Sequence, residues 1–342
     1  MKQATGTRHE AIVRGKNMKI KVILWAVTIL LLTATAEAQQ STKVVPIGYL
    51  TGESLSANAA RTESFRQGLR ELGYMEGKNI VIEWRYAEGK LNRLPELAAE
   101  LVRLKVNVIV TGAPAANRAA KAATSTIPIV MTNDPDPVAN GFVASLARPG
   151  GNITGLSTFA PELGGKRLEI LREVVPKLTR VTVLGTSTNP GYAQVISEIE
   201  LAAKAFGVKL QYLDVLDSKG VETAFRAASK GRTDGVLTLN SPILASQRMQ
   251  IVEFAGKNRL PAIYHSSEYI ESGGLMFYGV NLRDLNRRAA TYVDKILSGA
   301  KPTDLPVERP IKFEFIANLK AAKQIGLTIP PNVLARADRV IK

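Results

Sequence analysis

Cysteine is absent from the 342-residue chain, and histidine occurs only at His9 and His265. The lack of cysteine excludes disulfides, thiolate metal sites and a lipid anchor attached through a cysteine. Zinc sites and Ser/His/Asp triads depend on histidine or cysteine, so either would have to be built around these few histidines. The two shortages argue against a metal centre and against a catalytic triad.

Long hydrophobic runs are also scarce, because the main apolar segment covers only residues 22–32. This length is about half of the ~20 residues that a transmembrane helix needs. Lys19 and Lys21 lie directly before the segment, and an A-x-A cleavage motif follows it at residues 36–38. We therefore predict a secretory signal peptide over residues 1–38, with Met18 as an alternative start, and a soluble exported mature protein.

The charge is basic but dispersed. Six of the 45 Lys/Arg and two of the 30 Asp/Glu precede residue 39, so the remaining 304 residues carry a net charge of +11. The longest basic clusters are pairs such as Arg287-Arg288, and no stripe of basic residues alternates with aromatic ones. Nucleic-acid binding requires such a concentrated patch. A solvated basic surface with no nucleic-acid partner is the prediction.

Apolar, β-branched segments alternate with helical periodicity along the chain, which predicts an α/β protein with parallel strands. The predicted strands cover residues 44–50, 79–84, 106–110, 127–131, 180–185, 209–215, 235–239, 261–264 and 275–280. The halves of the chain are similar, since a strand, a polar turn with proline, a helix and a proline-led strand occur in both 110–130 and 238–264. Two similar α/β lobes are the simplest arrangement.

Small polar residues follow most of the predicted strands. Ligands bind beyond the carboxyl ends of the strands in open parallel sheets, so these positions are candidate ligand contacts. The candidates are Thr51, Gly52, Glu53, Thr111, Gly112, Asn133, Asp134, Thr188, Asn189, Asn240, Ser241, Tyr264 and Tyr278. Three of the strand ends continue as a capping residue followed by proline, the pattern of a helix start: Asp136-Pro137, Asn189-Pro190 and Ser241-Pro242.

The two aspartates after the strand at 127–131 have different predicted roles. Asp136 is predicted to cap a helix, whereas Asp134 at the strand tip is either a ligand contact or part of a structural turn. An EF-hand would need alternating oxygen ligands and a central glycine, and Asp134-Pro135-Asp136-Pro137 has neither. No metal is predicted at this site.

Motifs of known enzymes are missing. The chain contains no G-x-S-x-G, and residues 73–79 differ from a phosphate-binding loop in glycine spacing and end in asparagine instead of Ser/Thr. Residues 150–155 do not form a dinucleotide-binding fingerprint. We predict a protein without enzymatic activity or cofactor, and an exported α/β enzyme with an unfamiliar site stays the less favoured alternative.

Three segments resemble one known family. These are PIGYLTG near the start, residues 127–157 and residues 312–341. They are similar to ABC-transporter substrate-binding proteins of the family that includes tryptophan- and tyrosine-binding members, over about residues 44–341. The resemblance implies a type I periplasmic binding protein fold, with two Rossmann-like lobes joined by a multi-strand hinge. The implied lobes are 44–157 plus 276–308, and 158–275 plus 309–342.

The resemblance implies a monomeric solute-binding component that works with an ABC permease in the inner membrane. Some members of the family are lipoproteins, and the absence of cysteine indicates a free periplasmic form. A sensor subunit that presents its ligand to a membrane receptor would use the same cleft and stays an alternative.

An amino-acid-like solute, above all an aromatic one, is the first candidate ligand, and other small organic solutes stay alternatives. Its carboxylate would suit the helix starts after Asn189 or Ser241, and its ammonium group would suit Asp134 or Glu53. Tyrosines near strand ends could stack on a ring or could simply form the edge of the core: Tyr49, Tyr264 and Tyr278.

Overall fold

The computed structural model describes residues 44–158, 161–217, 219–310 and 312–342. The predicted signal peptide and Met18 lie outside these residues. No helix in the described ranges is long and apolar enough to cross a membrane. The same ranges contain no group of three or more His, Cys, Asp or Glu side chains that could hold a metal ion.

The first part of the chain forms a five-stranded parallel sheet. Its elements are β1 (Val45–Thr51), α1 (Leu55–Glu71), β2 (Ile80–Tyr86), α2 (Leu94–Arg103), β3 (Val108–Thr111), α3 (Pro114–Ala123), β4 (Ile129–Met131) and β5 (Ile153–Gly155), with a short 3-10 helix at Leu91–Arg93. The strand order is β2-β1-β3-β4-β5. All residues of β3 and β4 are buried, as expected for strands covered by helices on both faces.

The second part of the chain, from residue 161 onwards, contains all strands of a seven-stranded sheet and one helix, α10, that packs on the first sheet. Its elements are α4 (Pro161–Val174), β6 (Arg180–Gly185), α5 (Tyr192–Phe206), β7 (Lys209–Asp214), α6 (Gly220–Lys230), β8 (Gly235–Thr238), α7 (Pro242–Ser246), α8 (Arg248–Lys257), β9 (Ala262–Tyr264), α9 (Glu268–Glu271), β10 (Met276–Gly279), α10 (Leu282–Leu297), a 3-10 helix (Pro302–Asp304), β11 (Glu314–Asn318), α11 (Leu319–Gln324), α12 (Pro331–Leu334) and β12 (Arg339–Ile341). The order is β12-β11-β10-β9-β8-β6-β7, and β10 and β11 are antiparallel.

Two similar α/β lobes with mostly parallel sheets confirm the fold class predicted from the sequence pattern. The chain passes between the lobes after β5, after β10 and before β11, because α4 packs in the core of the second sheet and α10 in that of the first. The proposed lobe boundaries stay a prediction. Strand β10, which they place in the first lobe, pairs with β9 and β11 of the second sheet.

Helices α1 and α10 pack closely because glycine occupies their contact. A Cβ atom added at Gly68 of α1 would lie 2.2 Å from the carbonyl oxygen of Arg287 and 2.9 Å from the Cβ of Ala290, both on α10. The first distance is well inside van der Waals contact, so one helix would have to move. Gly68 thus allows α10 to cover the first sheet.

We expect Gly68→Ala to lower the free energy of unfolding by about 1 to 3 kcal/mol, the range for overpacking a tight contact. Gly256→Ala is the matched control, because Gly256 also lies in a helix but has no atom within 4 Å of an added Cβ. There alanine should stabilise by about 0.4 to 1 kcal/mol. Urea unfolding of both variants tests this, and equal effects would contradict the packing role of Gly68.

Candidate ligand-binding site

Loops at the carboxyl ends of the strands of the two sheets touch each other. The Nδ2 of Asn240, after β8, donates to the Oδ1 of Asn133, after β4, at 3.4 Å. The backbone N–H of Ser54 donates to the Oγ of Ser246 at 3.1 Å. The lobes are therefore in a closed arrangement, with the predicted strand ends facing one another.

A cavity lies between these loops. The residues that line it are Pro114, Pro135, Thr158, Leu163, Arg167, Asn189, Pro190, Gly191, Tyr192, Val195, Leu239, Asn240, His265, Val280 and Leu282. They come from both lobes, and most are apolar. A mainly apolar cavity with a few polar groups is typical of a small-molecule site.

Arg167 of α4 contributes a buried positive charge to the cavity. Its side chain is 4% exposed, and its Nε donates to the backbone carbonyl oxygen of Tyr278 at 2.7 Å. Burial lowers the pKa of Arg167 to about 10, so the group is still charged at neutral pH. It makes no ion pair with a described residue. A buried charge without a partner is costly, so this position is suited to an anionic group.

Three other polar atoms at the cavity are buried and have no hydrogen-bond partner among the described residues. They are the Oγ1 of Thr158, the Oδ1 of Asn189 and the Nε2 of His265. Leaving such an atom unsatisfied costs about 1 to 3 kcal/mol. The Nδ2 of Asn189 donates to the carbonyl oxygen of Asn240 at 3.0 Å, and this bond fixes the orientation of the amide whose oxygen has no partner among the described residues. Together these atoms can bind a polar group inside an otherwise apolar cavity.

A buried ion network joins the lobes close to this cavity. The guanidinium of Arg61 on α1 contacts Glu53 at 2.7 Å and Glu268 of the second lobe at 2.8 Å. Burial acts to raise the pKa of Glu268, but attraction to Arg61 outweighs it and lowers the pKa to about 2. Burial raises the pKa of Glu53. One cation thus lies between two carboxylates, and it links the closed lobes.

Asp134 is held by the protein itself. Its carboxylate is fully buried and accepts hydrogen bonds from the Nδ2 of Asn117, the Nδ2 of Asn140 and the backbone N–H of Asp136. Burial raises its pKa to about 7. Its neighbour Pro135 lines the cavity, whereas Asp134 does not. This placement favours the structural-turn alternative for Asp134.

We expect Asp134→Asn to destabilise the fold by about 1 to 3 kcal/mol, because its amide would place a donor against existing donors. The folded pKa exceeds the ordinary value of 3.8, so wild-type Asp134 contributes less stability as pH rises from about 4 through 7. The loss caused by the substitution should therefore be larger at pH 5 than at pH 8 in urea melts. Reduced solute affinity with unchanged stability would instead make Asp134 a ligand contact.

Of the three residues predicted to cap helices, only Ser241 does so. Ser241 caps α7 as predicted, since its Oγ accepts from the backbone N–H of Leu244. Asp136 accepts from the N–H groups of Val138 and Ala139, but only a turn follows, so the prediction of a helix there is wrong. Asn189 is not the cap of α5, which is Gly191. The left-handed φ of 78° at Gly191 lets the chain turn into the helix.

Of the predicted contact residues, the structure brings Asn189 and Asn240 to the cavity. Several others are buried at the strand ends or in the loops that follow them, where they bond to the protein or allow close packing: Thr51, Gly52, Glu53, Thr111, Gly112, Asn133 and Ser241. Thr188 is exposed and lines a separate groove. Tyr264 is packed in the core against Tyr269, with ring centroids 4.6 Å apart. Tyr278 contributes its carbonyl oxygen to Arg167 and packs against Phe313.

Sequence reasoning missed Arg167, Thr158 and the pair formed by Arg61 and Glu268. Arg167 lies inside a helix with several other charged residues, so nothing in the local pattern distinguishes it from a solvated arginine. Glu268 follows a strand end closely and could have been included by the same rule that selected Glu53.

A family model matches most of the chain, and several known proteins are similar to it. Residues 49–341 match the family model for ABC transporter substrate binding proteins. The chain is 26% identical over 270 residues to the tyrosine-binding protein of Clostridioides difficile, covering 78% of this chain and 76% of that one. It is 29% identical to the crystal structure of a conserved domain protein from Vibrio cholerae, with a TM-score of 0.82, covering 87% of this chain and 100% of that one. An ABC domain from Streptococcus pneumonia in complex with L-Trp shares the fold, with 24% identity, a TM-score of 0.79, and coverage of 86% of this chain and 100% of that one.

Proposed function

Because this chain belongs to the family of ABC transporter substrate binding proteins, we propose that it captures a small amino-acid-like solute for an ABC importer. The observation that carries the proposal is the buried charge of Arg167, which has no ion pair with a described residue and lines the cavity between the lobes. A carboxylate on the solute would neutralise this charge in a water-poor site.

The other groups at the cavity suit the rest of such a solute. The free Oδ1 of Asn189 and the hydroxyl of Thr158 can accept hydrogen bonds from an ammonium group. Apolar side chains from both lobes would surround the side chain of the solute, among them Leu163, Tyr192 and Leu282. The similarity to a tyrosine-binding protein supports an aromatic amino acid as the first candidate.

Capture would proceed by closure of the lobes. In an open state the charge of Arg167 would be hydrated, and a solute that contacts both lobes would bind the closed state better and shift the equilibrium towards it. The closed form would then dock on a permease in the inner membrane. We propose a monomer in the periplasm, exported by the signal sequence over residues 1–38, without an enzymatic activity.

Mass spectrometry of the small molecules released when the purified protein is denatured tests this function. A carboxylate-containing amino acid or a close relative in stoichiometric amount is the expected result. Calorimetric titration with L-tyrosine, L-tryptophan and their amides should then show binding of at least one acid and much weaker binding of its amide. Tight binding of a solute without an acidic group would contradict the proposal.

A further inference from the structure

His265 and Thr238 form a buried pair at the wall of the cavity. The backbone N–H of His265 donates to the Oγ1 of Thr238 at 3.3 Å, and the ring Nδ1 of His265 lies 3.2 Å from the same oxygen. No other described residue forms a hydrogen bond with the Thr238 hydroxyl. The state of the histidine ring therefore depends on where the hydroxyl hydrogen points.

Only one tautomer satisfies both partners of the contact between the Thr238 hydroxyl and the His265 Nδ1. Oγ1 already accepts the backbone N–H, and its hydrogen needs an acceptor, for which Nδ1 is in reach. In the other tautomer Nδ1 would donate to Oγ1, and the hydroxyl hydrogen would be buried without an acceptor, which is costly. The hydrogen of the ring is thus on Nε2.

The ring is also neutral. Burial, Arg167 and Arg61 lower the pKa of His265 well below its usual value, and only Glu268 acts against them. The side chain is 5% exposed, and its Nε2 is buried without a partner among the described residues at the cavity that Arg167 also lines. An N–H donor and a guanidinium consequently lie at the same cavity.

We propose that Thr238 holds His265 in the tautomer with hydrogen on Nε2, and that this N–H donates to the carboxylate of the bound solute beside Arg167. His265 is then a specificity residue and Thr238 a positioning residue. The inference rests on the proposed function, because it assumes a carboxylate-containing solute. Two donors of different kinds, an N–H and a guanidinium, would then favour an ionised carboxylate over an uncharged ester or amide.

The first test requires no ligand. Long-range ¹H–¹⁵N spectra of the full chain labelled at histidine contain signals of His9 and His265 only, and His265→Gln identifies those of His265. We expect a protonated Nε2, an unprotonated Nδ1 and no titration of His265 between pH 5 and 8. In Thr238→Val the Nδ1 loses the hydroxyl that donates to it, so its ¹⁵N signal should shift to that of an acceptor without a hydrogen bond and the share of the Nε2 tautomer should fall. A protonated Nδ1 in the wild type, or an unchanged spectrum in Thr238→Val, would overturn the inference.

The second test measures binding of L-tyrosine and L-tyrosine amide by calorimetry. His265→Phe should weaken binding of L-tyrosine by about 10- to 100-fold, the value of one hydrogen bond to a charged group, and His265→Gln should retain part of the affinity through its amide N–H. His265→Phe should change the affinity for L-tyrosine amide much less than the affinity for L-tyrosine. Thr238→Val, like His265→Phe, should lower the affinity for L-tyrosine.

The outcomes separate the two proposals. One possible result is that the wild type binds L-tyrosine, that Arg167→Gln weakens this binding and that His265→Phe leaves it unchanged. The proposed solute-binding function then stands, and the proposed role of His265 is wrong. If the wild type binds neither L-tyrosine nor L-tryptophan, the aromatic amino-acid form of the proposed function is wrong, and the carboxylate contact of His265 is overturned with it.

Discussion

Arg167→Gln is expected to weaken solute binding by about 2 to 5 kcal/mol, or roughly 30- to several-thousand-fold. The reason is that Arg167 supplies a buried positive charge at the cavity, with no ion pair to a described residue. Without it, the carboxylate of the solute would lose its hydration on closure and find no opposite charge in return. The unliganded variant should be about as stable as the wild type, because the charge of Arg167 would be hydrated in the open state and has no ion pair with a described residue that the substitution would break.

Calorimetric titration with the solute that co-purifies, or with L-tyrosine, measures this effect. Arg172→Gln is the matched control, because Arg172 lies on the same helix but is exposed and stacks on the ring of Phe206. Its affinity should equal that of the wild type. Unchanged affinity in Arg167→Gln would place the anion-binding group elsewhere, and a loss in both variants would indicate a general effect of charge on helix α4.

Arg61→Met is expected to destabilise the closed arrangement by about 3 to 5 kcal/mol, the range for leaving buried charges unpaired. The substitution would leave Glu53 and Glu268, one from each lobe, facing one another in a buried site without the cation between them. Opening of the lobes would hydrate both carboxylates. We therefore expect a larger radius of gyration in small-angle scattering and weaker solute binding than in the wild type.

The triple variant Glu53→Gln/Arg61→Met/Glu268→Gln separates charge from packing. It removes all three charges and leaves groups of similar size, so it should recover most of the closure and affinity that Arg61→Met loses. If the triple variant is as open as Arg61→Met, the network acts through side-chain packing and not through its charges. If neither differs from the wild type, the network does not link the lobes.

Much of the fold follows from local features of the sequence. Buried parallel strands are apolar and β-branched along their whole length, so segments such as 106–110 and 235–239 indicate strands without further information. The three segments that resemble the substrate-binding family also led to the right family. Strand ends at one edge of a parallel sheet meet in space, so the pattern selects Asn189 and Asn240, and both line the cavity.

The candidate site is less predictable because most of its chemistry depends on burial. Asp134 and Tyr264 have the residue types expected of ligand contacts, but one is saturated by hydrogen bonds from the protein and the other is packed in the core. Arg167 shows the reverse case. Its sequence context is that of a solvated residue on a helix, but its side chain lines the cavity. The residues next to each of these positions in the sequence do not determine whether its side chain is buried in the protein or lines the cavity.

The sequence by itself determined the parallel α/β organisation, the family and the edge of each sheet at which the cavity lies, because periodicity and strand-end polarity are local properties. Only the tertiary structure decided which polar groups are left without partners. That question depends on contacts between distant segments: the carbonyl of Tyr278 that holds Arg167, the hydroxyl of Thr238 beside His265, and the guanidinium of Arg61 between carboxylates of two lobes. A side chain acquires an unmet charge or hydrogen bond only when packing removes water from it without supplying a partner.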